Sequence, residues 1–176
     1  MCFFEKAINE KEWDMDHKRK VQQYGYKFNH KAHSLKGGHL GPLPDFCKNV
    51  TARLVSNGVY SKYNPDQMII NHYTPGQGIF PHWDSIKCFD DIIVSVGLGS
   101  SCIMKFQNSE TNEEVDVFFE RRMAVVLTGE ARYVWRHGIP AVTEDTYNGA
   151  VYKRKPRISL TWRKVLDSNN AVENSS

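Results

Sequence analysis

The sequence predicts a mainly β domain, an antiparallel sandwich or jelly roll with helices packed in front of it. Three observations predict it. From Gln67 onward the chain breaks into short alternating or apolar runs, QMIINHY, DIIVSVGLG, SSCIMKF, EVDVFF, RMAVVLTG, ARYVWRHGI and RISLTWRKV, separated by turn residues such as TPGQG. No long helical pattern separates those runs, which suits an antiparallel arrangement better than a parallel sheet. At 176 residues the chain has the size of one domain, large enough to bury a core without metals or disulfides for support.

Taken in order, residues Phe4 to Lys20 read as a helix. A second helix follows in PDFCKNVTARLVSNG, with Pro44 at its start, Phe46, Val50, Leu54 and Val55 at helical spacing, and Asn57-Gly58 as its stop. About eight strands then complete a single domain over residues 1–166. The polar end DSNNAVENSS, residues 167–176, is expected to be a disordered tail. No repeat, low-complexity tract or second-domain boundary is visible.

Composition excludes several classes. Hydrophobic and charged fractions of 40% and 24% are ordinary for a globular protein, and no apolar run approaches the ~20 residues that span a bilayer. No membrane insertion is expected. The start, MCFFEKAINEKEWDMD, lacks a long apolar stretch and a cleavage site, so the protein is expected in the cytoplasm, with the nucleus open as a second location. Cys2, Cys47, Cys88 and Cys102 form no paired spacing and read as reduced thiols. Net charge is only +3, but from His17 to Pro44 there are six Lys or Arg and no Asp or Glu. A local cationic surface follows, either a solvated face or a contact for a polyanion.

The densest chemical signal is NHYTPGQGIFPHWD. In an extended segment His82 and Asp84 project to the same side, so an imidazole and a carboxylate can fill adjacent positions around a metal. That pair needs a third ligand. His17, His30, His33 and His39 precede the strands, and His72 lies on the opposite strand face from Asn71 and Tyr73, which leaves His137 in YVWRHGI. Two His and one carboxylate form the facial triad of non-haem Fe(II) oxygenases, although zinc can fill the same ligands inertly.

A second constellation, R-x-S-x-T-x-R, puts Arg157, Ser159, Thr161 and Arg163 on one strand face and Ile158, Leu160 and Trp162 on the other. Two guanidiniums on one face meet either water or anions. The face is therefore an exposed strand surface or a site for a dianion such as 2-oxoglutarate, whose carboxylates match the planar fork of Arg. Asn71 and Tyr73, sharing a face of an earlier strand, can add donors.

In this order, N-x-Y, P-G-x-x-I, H-x-D, S-x-G-L-G-S, H-G-I and R-x-S-x-T-x-R, the chain resembles the AlkB family of Fe(II)- and 2-oxoglutarate-dependent dioxygenases over roughly residues 20 to 165. The resemblance implies a double-stranded β-helix, with helices outside a jelly roll. It implies iron at His82, Asp84 and His137, and 2-oxoglutarate contacts from Asn71, Tyr73, Arg157 and Arg163. Ser159 stands where the family usually has Asn, so one co-substrate contact is shortened to a hydroxyl. The implied reaction uses O2, decarboxylates 2-oxoglutarate to succinate and carbon dioxide, and hydroxylates an unactivated C–H bond. On an N-methyl group the product collapses to formaldehyde.

YGYKF, LPDFC, PDQMIINHYTPGQGI, FDDIIVSVGLGS, LTGEARYVWRHGI and RISLTWRKV look like the family members that act on the wobble uridine of transfer RNA. Animal members of that subgroup carry an RNA-recognition motif and a methyltransferase beside the oxygenase domain, and neither fits in this chain, so the chain is expected to rely on its own basic surface or on a partner, a methyltransferase or an RNA-binding protein. After H-x-D the sequence reads SIK, without the acids that suit cationic methylated bases. HKRKVQQYGYKFN interleaves Lys18, Arg19 and Lys20 with Tyr24, Tyr26 and Phe28, a composition for phosphate contact and base stacking, unless the aromatics are strand core. The expected substrate is a modified wobble uridine in transfer RNA. The alternatives are oxidative demethylation of bases in RNA or DNA, and a non-catalytic jelly roll that binds RNA or protein.

Overall fold

Every residue of Arg157–Arg163, strand β13, is buried, because this segment lies in the middle of a sheet with a neighbour on each edge and side chains covered on both faces. The computed structural model describes residues 7–8, 11–16, 19–30, 32–35 and 37–166. The expected tail, residues 167–176, lies outside them, as does Lys18.

Around β13 the strands run in the order β1 (Asp14–Asp16), β2 (Arg19–Tyr26), β4 (Gln67–Tyr73), β13, β6 (Ile93–Gly99) and β9 (Ala124–Leu127), with β3 (His39–Gly41) attached to β2. A second sheet has the order β5 (Ile79–His82), β10 (Trp135–Ile139), β7 (Cys102–Asn108) and β8 (Glu114–Phe119). β11 (Glu144–Tyr147) and β12 (Ala150–Lys153) form a hairpin. All strand pairings among the described residues are antiparallel. This is the jelly roll that the strand succession predicts.

The larger sheet sorts its side chains by the period of two. Met68, Ile70, Val94, Ile158, Leu160 and Trp162 form an outer core, and α1 (Lys48–Ser56) lies on it through Leu54, Val50 and Val55. Tyr60 ties the chain after that helix to the central strand, its hydroxyl donating to the Trp162 carbonyl at 3.1 Å. The helix begins after a short 3-10 turn, Asp45–Cys47, behind Pro44, and ends at Asn57 with Gly58 at φ 75°, as its stop signal predicts. On the other face Val21, Ile69, Ile93, Met104, Phe106, Phe119, Leu127 and Ile139 join the two sheets.

Of the helix expected over Phe4 to Lys20, the described residues keep a helical conformation only at Ala7 and Ile8. Asp14–Asp16 and the chain from Arg19 are strands paired to each other, with Asp14 opposite Val21 and Asp16 opposite Arg19. Alternation explains the difference: Val21 enters the inner core while Gln22 is buried on the other side, where its amide donates to the Ile8 carbonyl at 2.8 Å. At Gly25 the alternation is reset. Its φ is 76°, and a Cβ there would lie 1.7 Å from the Asp66 carbonyl oxygen, so only glycine can make the bulge. Tyr24 therefore faces the outer core and Tyr26 the inner one. In ARYVWRHGI the first residues also differ from the expected strand, since Gly129–Tyr133 forms the short helix α2 and the strand starts at Trp135.

The β11–β12 hairpin is locked by a buried ion pair, in which Arg154 Nε and Nη2 donate to both Asp145 oxygens at 2.7 and 2.6 Å while Nη1 donates to the Pro140 carbonyl at 2.6 Å. Removing the carboxylate strands a buried cation. Asp145→Ala should lower stability by about 3 kcal/mol in urea unfolding, and adding Arg154→Met should recover most of the loss. An unchanged unfolding midpoint in the single variant would show that the pair is dispensable.

Candidate active site

The three expected metal ligands arrive from two strands that pairing brings together. β10 lies antiparallel to β5 with His137 directly opposite His82, and Asp84 follows just beyond the end of β5. One ligand atom from each of His82, Asp84 and His137 lies within 4.8 Å of the others. The two imidazole centroids are 4.5 Å apart, and His137 Nε2 is 3.6 Å from Asp84 Oδ2. His82 Nδ1 donates to the Phe80 carbonyl at 2.9 Å, which fixes the tautomer and leaves Nε2 free as a ligand. These two nitrogens and one carboxylate oxygen, without sulfur, suit a borderline divalent ion such as Fe(II).

Electrostatics hold the triad ready. Burial opposes ionisation of Asp84, but Arg163 first, then His137, His82 and Arg132, outweigh it and keep the carboxyl well below the usual carboxylate range. Arg163 Nη2 lies 2.5 Å from Asp84 Oδ1. Burial pushes His137 down to about 4 against the opposing pull of Asp84, so its ring is neutral and able to ligate at physiological pH. Arg132 contributes in a way that the sequence did not reveal. It is 2% exposed, and its guanidinium donates to the carbonyls of Asp84, Ser85, Phe89 and Asp90 at 2.8 to 3.3 Å, which moulds the loop behind the ligand. In sequence it looks like one more cation in a run that reads as a strand.

Burial removes the exposed reading of the β13 face. Arg157 and Arg163 are 4% and 7% exposed. Arg157 carries no hydrogen bond on Nε, Nη1 or Nη2, and its guanidinium lies 5.7 Å from the Tyr73 ring and 4.8 Å from the Phe119 ring. Gly97 makes room for it: a Cβ there would sit 3.3 Å from Arg157 Nη2. A dry, unpaired guanidinium is expensive unless an anion joins it, so the residues fit a carboxylate of 2-oxoglutarate. Ser159 faces the same interior but spends its hydroxyl on Ser95 at 3.0 Å, and Ser95 in turn reaches Thr161 at 3.3 Å.

A cavity of about 820 Å³ opens over the triad, lined from the larger sheet by Asn71, Ser159, Thr161 and Arg163 together with Ile69, Ile93 and Leu127, and from the smaller sheet by Met104. Tyr73 and Arg157 border a neighbouring gap of about 10 Å³, and Gln77 and Ile139 line both spaces. Phe28, read in the sequence with the basic run, also lines the cavity, together with Phe80 on β5 and with His30, His33 and Trp83, which irregular backbone delivers and which the sequence did not assign to the site.

The residues expected to meet RNA separate. Lys20 is exposed, but Arg19 turns into the sandwich and lines the cavity. Tyr24 packs edge-on against Phe46 at 6.0 Å in the outer core, and Tyr26 against His39 at 4.8 Å. Both rings are therefore strand packing and not a stacking surface, the consequence of alternation along β2.

The comparisons with known proteins agree with this geometry. The chain matches the 2OG-Fe(II) oxygenase superfamily over residues 6–163. It is 34% identical to an uncharacterized protein of Acanthamoeba polyphaga mimivirus, covering 92% of this chain and 77% of that protein. It is 37% identical to the tRNA (carboxymethyluridine(34)-5-O)-methyltransferase ALKBH8 of Mus musculus, covering 84% of this chain but only 24% of that one. With the Alkylated DNA repair protein ALKBH8 homolog of Arabidopsis thaliana the identity is 33%, over 90% of this chain and 53% of that one. The chain thus spans about a quarter to a half of the length of these ALKBH8 relatives. Two solved structures share the fold at low identity. OsALKBH1 aligns at TM-score 0.56 and 17% identity, over 83% of this chain and 78% of that one, and a Pseudomonas putida prolyl-4-hydroxylase at 0.51 and 14%, over 84% and 69%. With its His-Asp-His triad set in a jelly roll, the chain belongs to the 2OG-Fe(II) oxygenase superfamily and is an AlkB-like dioxygenase that uses Fe(II), 2-oxoglutarate and O2.

Proposed function

We propose that this dioxygenase hydroxylates the side chain of a modified wobble uridine in transfer RNA. The observation that carries the reading is the charge of the cavity. Among its described lining residues Asp84 is the only acid, whereas Arg19, Lys105 and Arg163 are cations. Asp84 is already engaged by Arg163, so a cationic methylated base entering this space finds no counter-charge. A neutral uridine does not need one. The ALKBH8 relative of mouse, named for a transfer-RNA uridine, supports the same substrate class.

His82, Asp84 and His137 would hold iron beside the cavity, while Arg163 keeps Asp84 ionised and oriented. Arg157, with Tyr73 and Asn71, would take the co-substrate. The iron, 2-oxoglutarate and O2 together supply the oxidant: one oxygen atom goes to succinate as carbon dioxide leaves, and the other goes into the substrate C–H bond. Apolar side chains such as Ile69, Ile93 and Leu127 keep the reacting carbon away from water. At the mouth Phe80 is 90% exposed two residues before His82, and Arg136 lies 4.3 Å over the Trp83 ring, which offers apolar and cationic contact to a base. A separate methyltransferase or RNA-binding protein would act on the same RNA as a partner, in the cytoplasm or nucleus.

Demethylation is the competing reading. It draws on more distant relatives, the Probable RNA/DNA demethylase ALKBH6 of Danio rerio and the DNA N6-methyl adenine demethylase of Caenorhabditis elegans, each 24% identical.

Three outcomes are expected. His82→Ala and Asp84→Ala should each abolish 2-oxoglutarate turnover with circular dichroism unchanged, and retained turnover in either would remove the triad assignment. Arg157→Ala should weaken 2-oxoglutarate binding by about 2 kcal/mol, roughly thirtyfold, with Arg157→Lys rescuing only part, because a point charge cannot reproduce the fork. Equal affinities in calorimetry would place Arg157 outside the co-substrate site. Finally, transfer-RNA wobble uridine should gain one oxygen by mass spectrometry while 1-methyladenine in DNA reacts poorly, and binding to transfer RNA should weaken with salt, less steeply once Lys18, Lys20 and Lys27 are neutralised. Efficient 1-methyladenine repair without any mass gain on transfer RNA would favour the demethylase.

A further inference from the structure

Arg19 stands apart from the rest of the basic run. On β2 it follows directly from the Lys20–His72 pair, which places it beside Tyr73 on β4, and Tyr73 in turn faces Arg157 on β13. One rung of the larger sheet therefore reads Arg, Tyr, Arg on its inner face. The two guanidinium carbons lie 5.8 and 5.7 Å from the centroid of the same Tyr73 ring. Neither guanidinium is paired with a carboxylate among the described residues, and Arg19 Nε is shielded from solvent without a partner, like all three nitrogens of Arg157. Two unpaired cations about one buried phenol repel each other in a medium of low dielectric. An anion within reach of both guanidiniums would remove that cost.

Arg19 also has a second attachment. Its Nη1 donates to the carbonyl of Gly78 at 3.4 Å, in the turn that leads through β5 to His82. That turn is tightly set. Gln77 accepts from Thr74 N at 2.8 Å, Gly76 N donates to Val142 O at 3.1 Å, and a Cβ on Gly78 would sit 2.2 Å from the Ile139 carbonyl oxygen.

We infer that Arg19 is a third arginine for the co-substrate: with Tyr73 and Arg157 it binds the distal carboxylate of 2-oxoglutarate and couples that carboxylate, through Gly78, to the turn preceding the metal ligand. The inference rests on the assignment of Arg157 to the same carboxylate. It makes Arg19 a co-substrate-binding residue on the half-buried inner face of β2, whereas its neighbours Lys18 and Lys20 belong to the nucleic-acid reading. Filling of the co-substrate site then tightens the cavity mouth before the substrate arrives.

Calorimetry on protein loaded with Mn(II) separates the possibilities, using 2-oxoglutarate and 2-oxopentanoate, which keeps the chain length but ends in methyl. Arg19→Gln should weaken 2-oxoglutarate about tenfold and 2-oxopentanoate by less than about twofold, with Arg19→Lys in between. Hydrogen exchange across residues 74–82 should slow when 2-oxoglutarate is added to the wild type and stay unchanged in Arg19→Gln. Undiminished 2-oxoglutarate affinity in both variants overturns the proposal, and so does an equal loss for both acids, which would make Arg19 only a clamp on Gly78. A loss confined to RNA binding also overturns it and returns Arg19 to the surface reading. If the wild type itself binds both acids equally, the Arg157 assignment falls first and takes this one with it.

Discussion

Burying Arg157 and Arg163 on one face of a fully buried strand is the constraint from which the rest of the site follows. A guanidinium taken out of water costs several kcal/mol unless it is paired, and the two arginines meet that demand differently. Arg163 is paired within the chain, to Asp84. Arg157 is left without a protein partner and cradled by two aromatic rings and a glycine. The same strand thus fixes the metal's carboxylate at one end and keeps an anion socket at the other, with Ser159 and Thr161 between them. Because β13 is held on both edges by β4 and β6, neither end can shift without breaking register.

The metal ligands depend on a second register, that of the smaller sheet. His137 is fixed opposite His82 by the β5–β10 pairing and opposite Phe106 by β7, so the two imidazoles meet by strand alignment and not by loop flexibility. Asp84 lies outside any strand and needs another restraint. Arg132 provides it by gathering four carbonyls of the 84–90 loop with a buried planar fork whose geometry a lysine ammonium does not share. Two cations, Arg132 behind the backbone and Arg163 against the side chain, therefore define one carboxylate.

The sequence made the strands of the core legible wherever alternation ran unbroken, as in QMIINHY and RISLTWRKV, and it also made the triad legible, because each ligand sits in or beside such a run. It misread the N-terminal segment for two physical reasons. A run of charges hid the alternation at Asp14–Asp16 and Arg19–Tyr26, and the bulge at Gly25 reversed the parity, so Tyr24 and Tyr26 enter opposite cores although they are two residues apart. Arg19 was grouped with its basic neighbours for the same reason, since composition cannot tell an inward strand position from an outward one. The cavity residues His30 and His33 were not visible because nothing periodic places them, and Phe80 was not because β5, four residues long and containing Pro81, carries no strand pattern. Burial of Arg157 was open in the sequence, where an exposed face and an anion site read alike, and only the position of β13 at the centre of the sheet separates them.

The central claim is that one strand couples a metal carboxylate to a carboxylate socket. A crystal structure of the protein with Mn(II) and 2-oxoglutarate, prepared without oxygen, tests it most directly. The account predicts the metal bound by His82, Asp84 and His137, the 2-oxo acid chelating it, and the distal carboxylate on the guanidinium of Arg157 beside Tyr73. Finding the distal carboxylate elsewhere, with Arg157 still unpaired in the interior, would contradict it.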